Sequence, residues 1–116
     1  MRHRNVVKTL NRVSSSRKAL MRDLATSVIV YEKVTMTEAK GKAVRPEVEH
    51  LITIAKKGGL TARRTLLSYF STEQPVNKLI DVIAPRLKDR QGGYTRLTKL
   101  GRRAGDCAPT VQIEIL

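Results

Sequence analysis

Apolar residues recur at helical spacing in four stretches of this chain and alternate with polar residues in three others. The first helical stretch contains Leu20, Leu24, Val28 and Tyr31, and Met21, Ala25 and Ile29 widen its apolar stripe. It follows three serines, residues 14–16, that can cap the N-terminus of a helix. This spacing predicts a helix from about residue 15 to residue 31.

A short strand and a long helix are predicted next. Residues Lys33 to Thr37 alternate apolar and polar side chains, as a strand does, and helical spacing then runs from Glu38 to Lys57. Gly41 and Pro46 weaken this helical pattern, because a proline removes one main-chain hydrogen bond from a helix interior and costs about 3 kcal/mol. A kink or break is therefore expected near Pro46, which can also open a second helical segment.

Two shorter helices complete the middle of the chain. Gly58 and Gly59 are expected to end the long helix. The spacing of apolar residues then predicts one helix from Leu60 to Phe70 and another from Glu73 to Ala84, which Pro85 would stop.

The C-terminal part of the chain predicts a β-hairpin with a basic tip. β-Branched and aromatic residues favour a strand from Tyr94 to Leu100, and a loop from Gly101 to Pro109 follows, in which Arg102 and Arg103 are adjacent. The last strand, residues 110–116, alternates polar residues with the inward-facing Val111, Ile113 and Ile115.

The predicted elements occur in the order α-β-α-α-α-β-β. With three short strands and one apolar face on each helix, the expected fold is a two-layer α+β domain, in which the helices pack on one side of a small three-stranded sheet. Residues 1–13 show no such periodicity and are predicted to form a basic N-terminal arm, so that residues 14–116 form a single domain.

Charge changes this picture by indicating a partner. The 116 residues carry a formal net charge of +13, and the sequence pI is about 10.6, above the pI of about 9 that marks nucleic-acid-binding domains. Residues 1–22 contain seven Lys or Arg and no acid, whereas residues 23–85 contain nine Lys or Arg and seven acids. Both ends of the chain are basic, which favours a folded body that presents two cationic surfaces to a polyanion.

These two basic regions supply the candidate nucleic-acid-binding residues. In the N-terminal region they are Arg2, His3, Arg4, Lys8, Arg12, Arg17, Lys18 and Arg22, although a solvated tail and an ordinary solvated helix face remain open as alternatives. In the C-terminal region they are Arg90, Gly92, Gly93, Tyr94, Arg96, Lys99, Arg102 and Arg103. The glycines allow positive φ or close backbone approach. Tyr94 can either stack on a base or ribose or be a buried strand residue, and Asp106 is expected to brace Arg102 or Arg103.

Several classes of site are not expected. A single cysteine, Cys107, allows no intrachain disulfide and, with the scattered His3 and His50, no metal site, which fits a reducing compartment. No apolar run approaches the ~18 residues of a membrane span, and no signal-type apolar core follows the first residues. We therefore predict a cytoplasmic protein with no cofactor, no small-molecule substrate and no membrane partner.

Five short strings, in register over essentially the whole chain, carry a resemblance to a known family. They are MRHR at the start, LNR at Leu10–Arg12 with the following serines and Arg17, LITIAK at Leu51–Lys56, GGYTR at Gly92–Arg96, and GRRAGD with AP at Gly101–Pro109. Together they resemble the bacterial-type large-subunit ribosomal protein L17 family. The resemblance implies a structural protein that binds large-subunit ribosomal RNA near the nascent-chain exit, beside other large-subunit ribosomal proteins. It also implies an α+β domain with a small sheet, and Gly41 and Pro46 depart from the family's continuous central helix.

Three other classes of protein share some of these features. A DNA-binding, nucleoid-type protein would have the same charge, but no recognition helix preceded by a tight turn is evident. An RNA-processing enzyme needs an acid–base pair or metal-binding carboxylates, and His3, His50 and Asp106 are too scattered to provide them. A membrane-surface protein would have a helix with one dense basic face, whereas the predicted helices carry mixed charges.

Overall fold

The computed structural model describes residue 3 and residues 8–116, so Arg2 and Arg4 of the predicted arm lie outside the described residues. The elements are α1 (Ser14–Tyr31), β1 (Lys33–Thr37), α2 (Glu38–Lys57), α3 (Gly59–Tyr69), α4 (Gln74–Lys78), a π-helical segment (Leu79–Ile83), α5 (Ala84–Arg86), β2 (Thr95–Arg102) and β3 (Pro109–Ile115). The predicted α+β fold and its element order are confirmed. The division into an arm and a domain at residue 13 stays a prediction.

α1 begins where the serines predicted it, and its buried residues belong to the predicted apolar stripe, except that Tyr31 is exposed. The helix starts at Ser14, and the residue before it, the extended Val13, provides no side-chain cap, so the expected serine cap is wrong. Ala25, Val28 and Ile29 are buried, whereas Tyr31 is 71% exposed. Tyr31 lies at the edge of the stripe because the face that meets the other elements is centred between Ala25 and Ile29.

The turn after α1 is held by a partly exposed network around Glu32. This residue has a left-handed conformation (φ 63°) and reverses the chain into β1. Its carboxylate accepts from Lys78 Nζ at 3.1 Å and from Arg86 Nη1 at 2.9 Å, and Lys78 Nζ also donates to the Val30 carbonyl at 2.6 Å. Burial alone would raise the pKa of Glu32, but the hydrogen bonds from the two cations hold it below its ordinary value. Lys78 and Arg86 therefore join α1 to the α4–α5 region.

The three strands form an antiparallel sheet in the order β1-β3-β2. Val111, Ile113 and Ile115 of the central strand are buried, as their alternation predicted. β2 extends further than predicted, because Gly101 pairs with Thr110 and Arg102 pairs with Pro109 after an irregularity at Leu100. The loop between the strands is therefore residues 103–108, which we call the hairpin tip.

α2 runs across the sheet as one continuous helix, so the expected break near Pro46 is wrong. Its closest approach to the sheet is at Gly41, where a Cβ atom would lie 2.6 Å from Val111 Cγ2 and 3.3 Å from Leu97 Cδ2. Val44, Val48, Leu51, Ile52 and Ala55 continue the buried face of the helix. Gly41, which weakened the helix prediction, is the residue that lets α2 contact the sheet.

The last helical region differs from its prediction at both ends. It begins at Gln74 and continues past Pro85 to Arg86, so the proline does not stop it. The turn before the proline is π-helical, and the Ala84 N–H bonds to the Leu79 carbonyl, five residues earlier. In a regular α-helix the proline ring clashes with the carbonyl four residues earlier. The wider π-helical turn changes the position of that carbonyl relative to the ring, so the helix can continue through Pro85.

Candidate nucleic-acid interface

Five cations near the start of α1 have no carboxylate partner among the described residues, and three of them donate to main-chain carbonyls instead. Arg12 Nη1 donates to the Leu10 carbonyl at 3.2 Å, and Arg17 Nη1 donates to the Arg12 carbonyl at 3.3 Å. Within residue 3 and residues 8–116, no carboxylate oxygen lies within 4.0 Å of the charged nitrogens of this group. We call it the α1 cation cluster, and its members are Lys8, Arg12, Arg17, Lys18 and Arg22. His3 is also exposed.

Pro46 explains how the chain preceding α1 contacts α2. A proline has no N–H, so the carbonyl four residues earlier, that of Lys42, loses its helical partner. Lys8 Nζ donates to this carbonyl at 3.2 Å. The proline that was expected to break α2 thus leaves an acceptor for the N-terminal region of the chain.

Replacing Pro46 by alanine is expected to stabilise the domain and to release Lys8. The new N–H can bond to the Lys42 carbonyl, and alanine favours the helix, so the free energy of unfolding should rise by about 1–3 kcal/mol. Urea denaturation measures this change, and the rate of tryptic cleavage after Lys8 should increase. Glu47→Ala, at the next exposed position of α2, is the matched control. An unchanged cleavage rate in Pro46→Ala would contradict the contact.

The hairpin tip is held by one ion pair and several hydrogen bonds. Asp106 accepts from Arg103 Nε at 3.0 Å and from Arg103 Nη2 at 2.6 Å, and its Oδ1 also accepts from the Ala108 N–H at 3.1 Å. These bonds, that with Arg103 first, lower the pKa of Asp106 to about 2. Arg102 Nη1 donates to the Cys107 carbonyl at 3.2 Å. Asp106 therefore braces Arg103, one of the two predicted alternatives, and Arg102 has no such carboxylate among the described residues.

The remaining C-terminal candidates are in different environments. Arg96 is paired with Glu114 at 3.1 Å on the sheet face that points away from the helices. Arg90 Nη1 donates to the Gly93 carbonyl at 3.3 Å, and Gly92 and Gly93 both have positive φ, which a turn before β2 requires. Lys99 is largely exposed and lies 4.0 Å from Glu38. All of these residues except the glycines thus present cationic groups at the surface.

Tyr94 belongs to the core. It is 5% exposed, its hydroxyl accepts from Lys56 Nζ at 3.1 Å, and Lys56 Nζ lies 4.8 Å from the centre of its ring. The Gly92 backbone and then Lys56 lower the pKa of its hydroxyl. Of the two alternatives for Tyr94, burial is the one observed, although Tyr94 directly precedes β2 and is not part of the strand. Its ring therefore offers no face to a base.

The first turns of α2 connect the two basic surfaces. Glu38 Oε1 lies 2.6 Å from Lys42 Nζ and 4.0 Å from Lys99 Nζ of β2, and the Lys42 carbonyl accepts from Lys8. The α1 cation cluster and the hairpin therefore adjoin the same end of α2. Sequence reasoning missed Lys42, although its position four residues before a proline was a usable signal.

The described residues, 3 and 8–116, contain neither a group of three or more potential metal-ligating side chains nor a helix long and apolar enough to cross a membrane. Exposed cations and a small antiparallel sheet under helices define a small basic α+β domain. The family model described as ribosomal protein L17 matches residues 20–116.

Curated relatives agree with this match. The large ribosomal subunit protein bL17 of Sphingopyxis alaskensis is 47% identical over 116 residues, which is 100% of this chain and 84% of that protein. The protein of the same name from Thermoanaerobacter sp. strain X514 is 51% identical over 107 residues, 92% of this chain and 96% of that protein. The chain belongs to the ribosomal protein L17 family. Its role is structural, on the ribosome in the cytoplasm, and it is not an enzyme, as the sequence predicted.

Proposed function

We propose that this protein binds large-subunit ribosomal RNA through the basic N-terminal arm with the α1 cation cluster and through the arginine-rich hairpin. We further propose that it does so near the nascent-chain exit, beside neighbouring large-subunit ribosomal proteins. The arm contributes Arg2, His3 and Arg4 to this surface. The hairpin side contributes Arg90, Arg96, Lys99, Arg102 and Arg103, with Gly92 and Gly93 shaping the turn.

The observation that carries the proposal is the difference in pairing between the basic residues. Lys78 and Arg86, which join helices, both contact Glu32, whereas no member of the α1 cation cluster contacts a carboxylate within the described residues. An unpaired surface cation retains its full attraction for a phosphate, and it releases condensed counterions when it binds. The α1 cation cluster is therefore available to a polyanion in a way that the structural cations are not.

The composition of the surface favours RNA contacts of a particular kind. Arginine outnumbers lysine in both basic regions, and a guanidinium can bond a phosphate with two parallel N–H groups or stack on an exposed base. Two nitrogen atoms of the Arg103 guanidinium, Nε and Nη2, donate to Asp106, and this pair orients the Arg103 side chain. We expect Arg102 to make the stronger phosphate contact of the two.

Joint replacement of Arg102 and Arg103 by alanine tests the hairpin. We expect weaker association with large-subunit ribosomal RNA and an almost unchanged melting temperature, because both side chains are exposed and an exposed ion pair contributes little to stability. The matched control replaces Lys57 and Arg64, two exposed cations outside both surfaces. Equal losses from both double variants would mean diffuse attraction and would contradict a hairpin site. A large fall in melting temperature would mark the arginines as structural.

Deletion of residues 1–13 tests the arm. We expect the remaining domain to fold, as measured by circular dichroism, and to be incorporated poorly into the large subunit. Normal incorporation that survives a moderate salt wash would count against the arm. Competition between the ribosomal RNA and duplex DNA, measured with the full chain, separates this proposal from a DNA-binding function.

A further inference from the structure

A groove of about 580 Å³ lies between α1 and α2 beside the α1 cation cluster, and phosphate contacts alone do not account for its apolar part. Its apolar part is formed by Met21, Ala43, Pro46 and Tyr69. Its charged part is formed by Lys8, Arg17, Lys18 and Arg22 of the α1 cation cluster together with Lys42. A volume of this size lies in the range of sites that take a small ligand, roughly 300–1,000 Å³.

We propose that this groove accepts a single unstacked nucleotide of an RNA, with the base against the apolar part and the adjacent phosphates on the cations. The inference rests on the proposed function and names the kind of RNA element that the α1 cation cluster would recognise. Sequence-independent phosphate contacts need no cavity, whereas an extruded base needs an apolar surface and a flat group on which to stack.

Tyr69 and Arg22 provide the flat groups. The Tyr69 ring is half-buried and held by an edge contact with Phe70, with ring centres 5.0 Å apart. The Arg22 guanidinium lies 6.0 Å from the centre of the Tyr69 ring. A planar aromatic or guanidinium group is the usual partner of an unpaired base. Burial raises the pKa of the Tyr69 hydroxyl to about 12.

Charge identifies the occupant as a nucleotide and not as an apolar peptide. Glu47 is the one carboxylate among the described residues that line the groove, against five cations. Lys42 forms an ion pair with Glu38. Lys18 and Arg22 are exposed and Arg17 is half-buried, and none of these three has a carboxylate partner in the described residues. A peptide that buried its apolar side chains here would leave these cations unneutralised, whereas an RNA strand brings one phosphate on each side of the base.

The test compares two RNA hairpins that differ by one bulged nucleotide, here 2-aminopurine, with the full chain in a competition assay. We expect the bulged hairpin to bind roughly tenfold more tightly than the fully paired one, because stacking of one base on a protein ring is worth about that factor. Ala43→Phe fills the groove without changing its charge and should abolish the preference. Ala39→Phe, one turn earlier on an exposed position of α2, is the control and should retain it.

Arg22→Lys is a second variant that preserves both charge and fold. It keeps the cation and removes the planar group, so we expect the preference for the bulge to fall while binding of the paired hairpin is unchanged. Equal binding of both hairpins by the unmodified protein would overturn the inference and leave the proposed function standing, as would a preference that survives in Ala43→Phe. Failure to bind either RNA at low salt would overturn the proposed function itself.

Discussion

Raising the salt concentration from 50 to 200 mM is expected to weaken the binding of this protein to large-subunit ribosomal RNA by roughly a thousandfold or more. The estimate follows if about eight cations of the two basic surfaces each neutralise a phosphate, since log K then falls by about 0.7–0.9 per contact per decade of salt. The α1 cation cluster provides five of these candidates. Filter binding or fluorescence anisotropy over a salt series measures the slope.

Replacing one pair of cations should change the slope of log K against log salt concentration by a predictable amount. Replacing Arg17 and Lys18 by glutamine should reduce its magnitude by about 1.4–1.8. Replacing Lys57 and Arg64 in the same way should leave it unchanged, because these residues lie outside both surfaces. A shallow slope for the unmodified protein, with tight binding retained at 200 mM salt, would show that the basic surfaces do not provide the main driving force.

Replacing Gly41 by leucine is expected to cause a large loss of stability, because the substituted side chain has no room between α2 and the sheet. The first side-chain carbon would lie 2.6 Å from Val111 Cγ2, and Val111 is a β-branched residue in the central strand that has little room to turn. Extra atoms in a packed interface cost about 1–3 kcal/mol for small insertions, and leucine adds three further carbons. We expect a loss above about 3 kcal/mol, a large fraction of the 5–15 kcal/mol typical of a domain.

Replacing Gly41 by alanine separates the effect of packing on stability from the effect of helix propensity. Alanine favours a helix over glycine by about 1 kcal/mol, so Gly41→Ala should stabilise the protein if the contact with Val111 did not matter. We expect it to destabilise, as measured by urea denaturation. Gly105 is the matched control, since its φ is not positive and a Cβ there would meet no atom within 4 Å. Stabilisation by Gly41→Ala would contradict the close contact between α2 and β3.

Predictions from periodicity were most accurate where one face of an element is buried along its length. β1 and α2 have the bounds that the alternation and the helical spacing predicted. The buried positions Val111, Ile113 and Ile115 of β3 were also confirmed. In these segments the apolar pattern is strong, because each element contacts the rest of the domain through a single continuous face.

Predictions failed at two prolines, where another interaction or a changed helical turn offsets the local effect of the proline. Pro46 was expected to break α2, but Lys8 bonds to the carbonyl that it leaves without a partner. Pro85 was expected to stop the last helix, but a wider turn precedes it. In both cases a local propensity of a few kcal/mol is smaller than the packing that the continuous helix retains.

For the candidate interface, too, some features could be predicted from the sequence and others could not. The two basic regions could be recognised from the sequence, since net charge and the clustering of arginines at both ends are properties of the sequence. The pair of Asp106 with Arg103 was one of two predicted alternatives. The pair of Arg96 with Glu114, and the lack of a carboxylate partner for the α1 cation cluster within the described residues, could not be predicted. The groove with Tyr69 was missed as well, since its walls come from three helices.

By itself the amino-acid sequence determined the α+β class, the order of the elements, the excess of positive charge and the resemblance to ribosomal protein L17. These depend on composition and on short-range periodicity, which any segment carries with it before it folds. Tertiary structure alone decided which cations face solvent without a carboxylate, that Tyr94 is buried, and that Gly41 lies where α2 contacts the sheet. Those outcomes depend on distances between residues far apart in the chain, and such distances exist only once the helices have packed on the sheet.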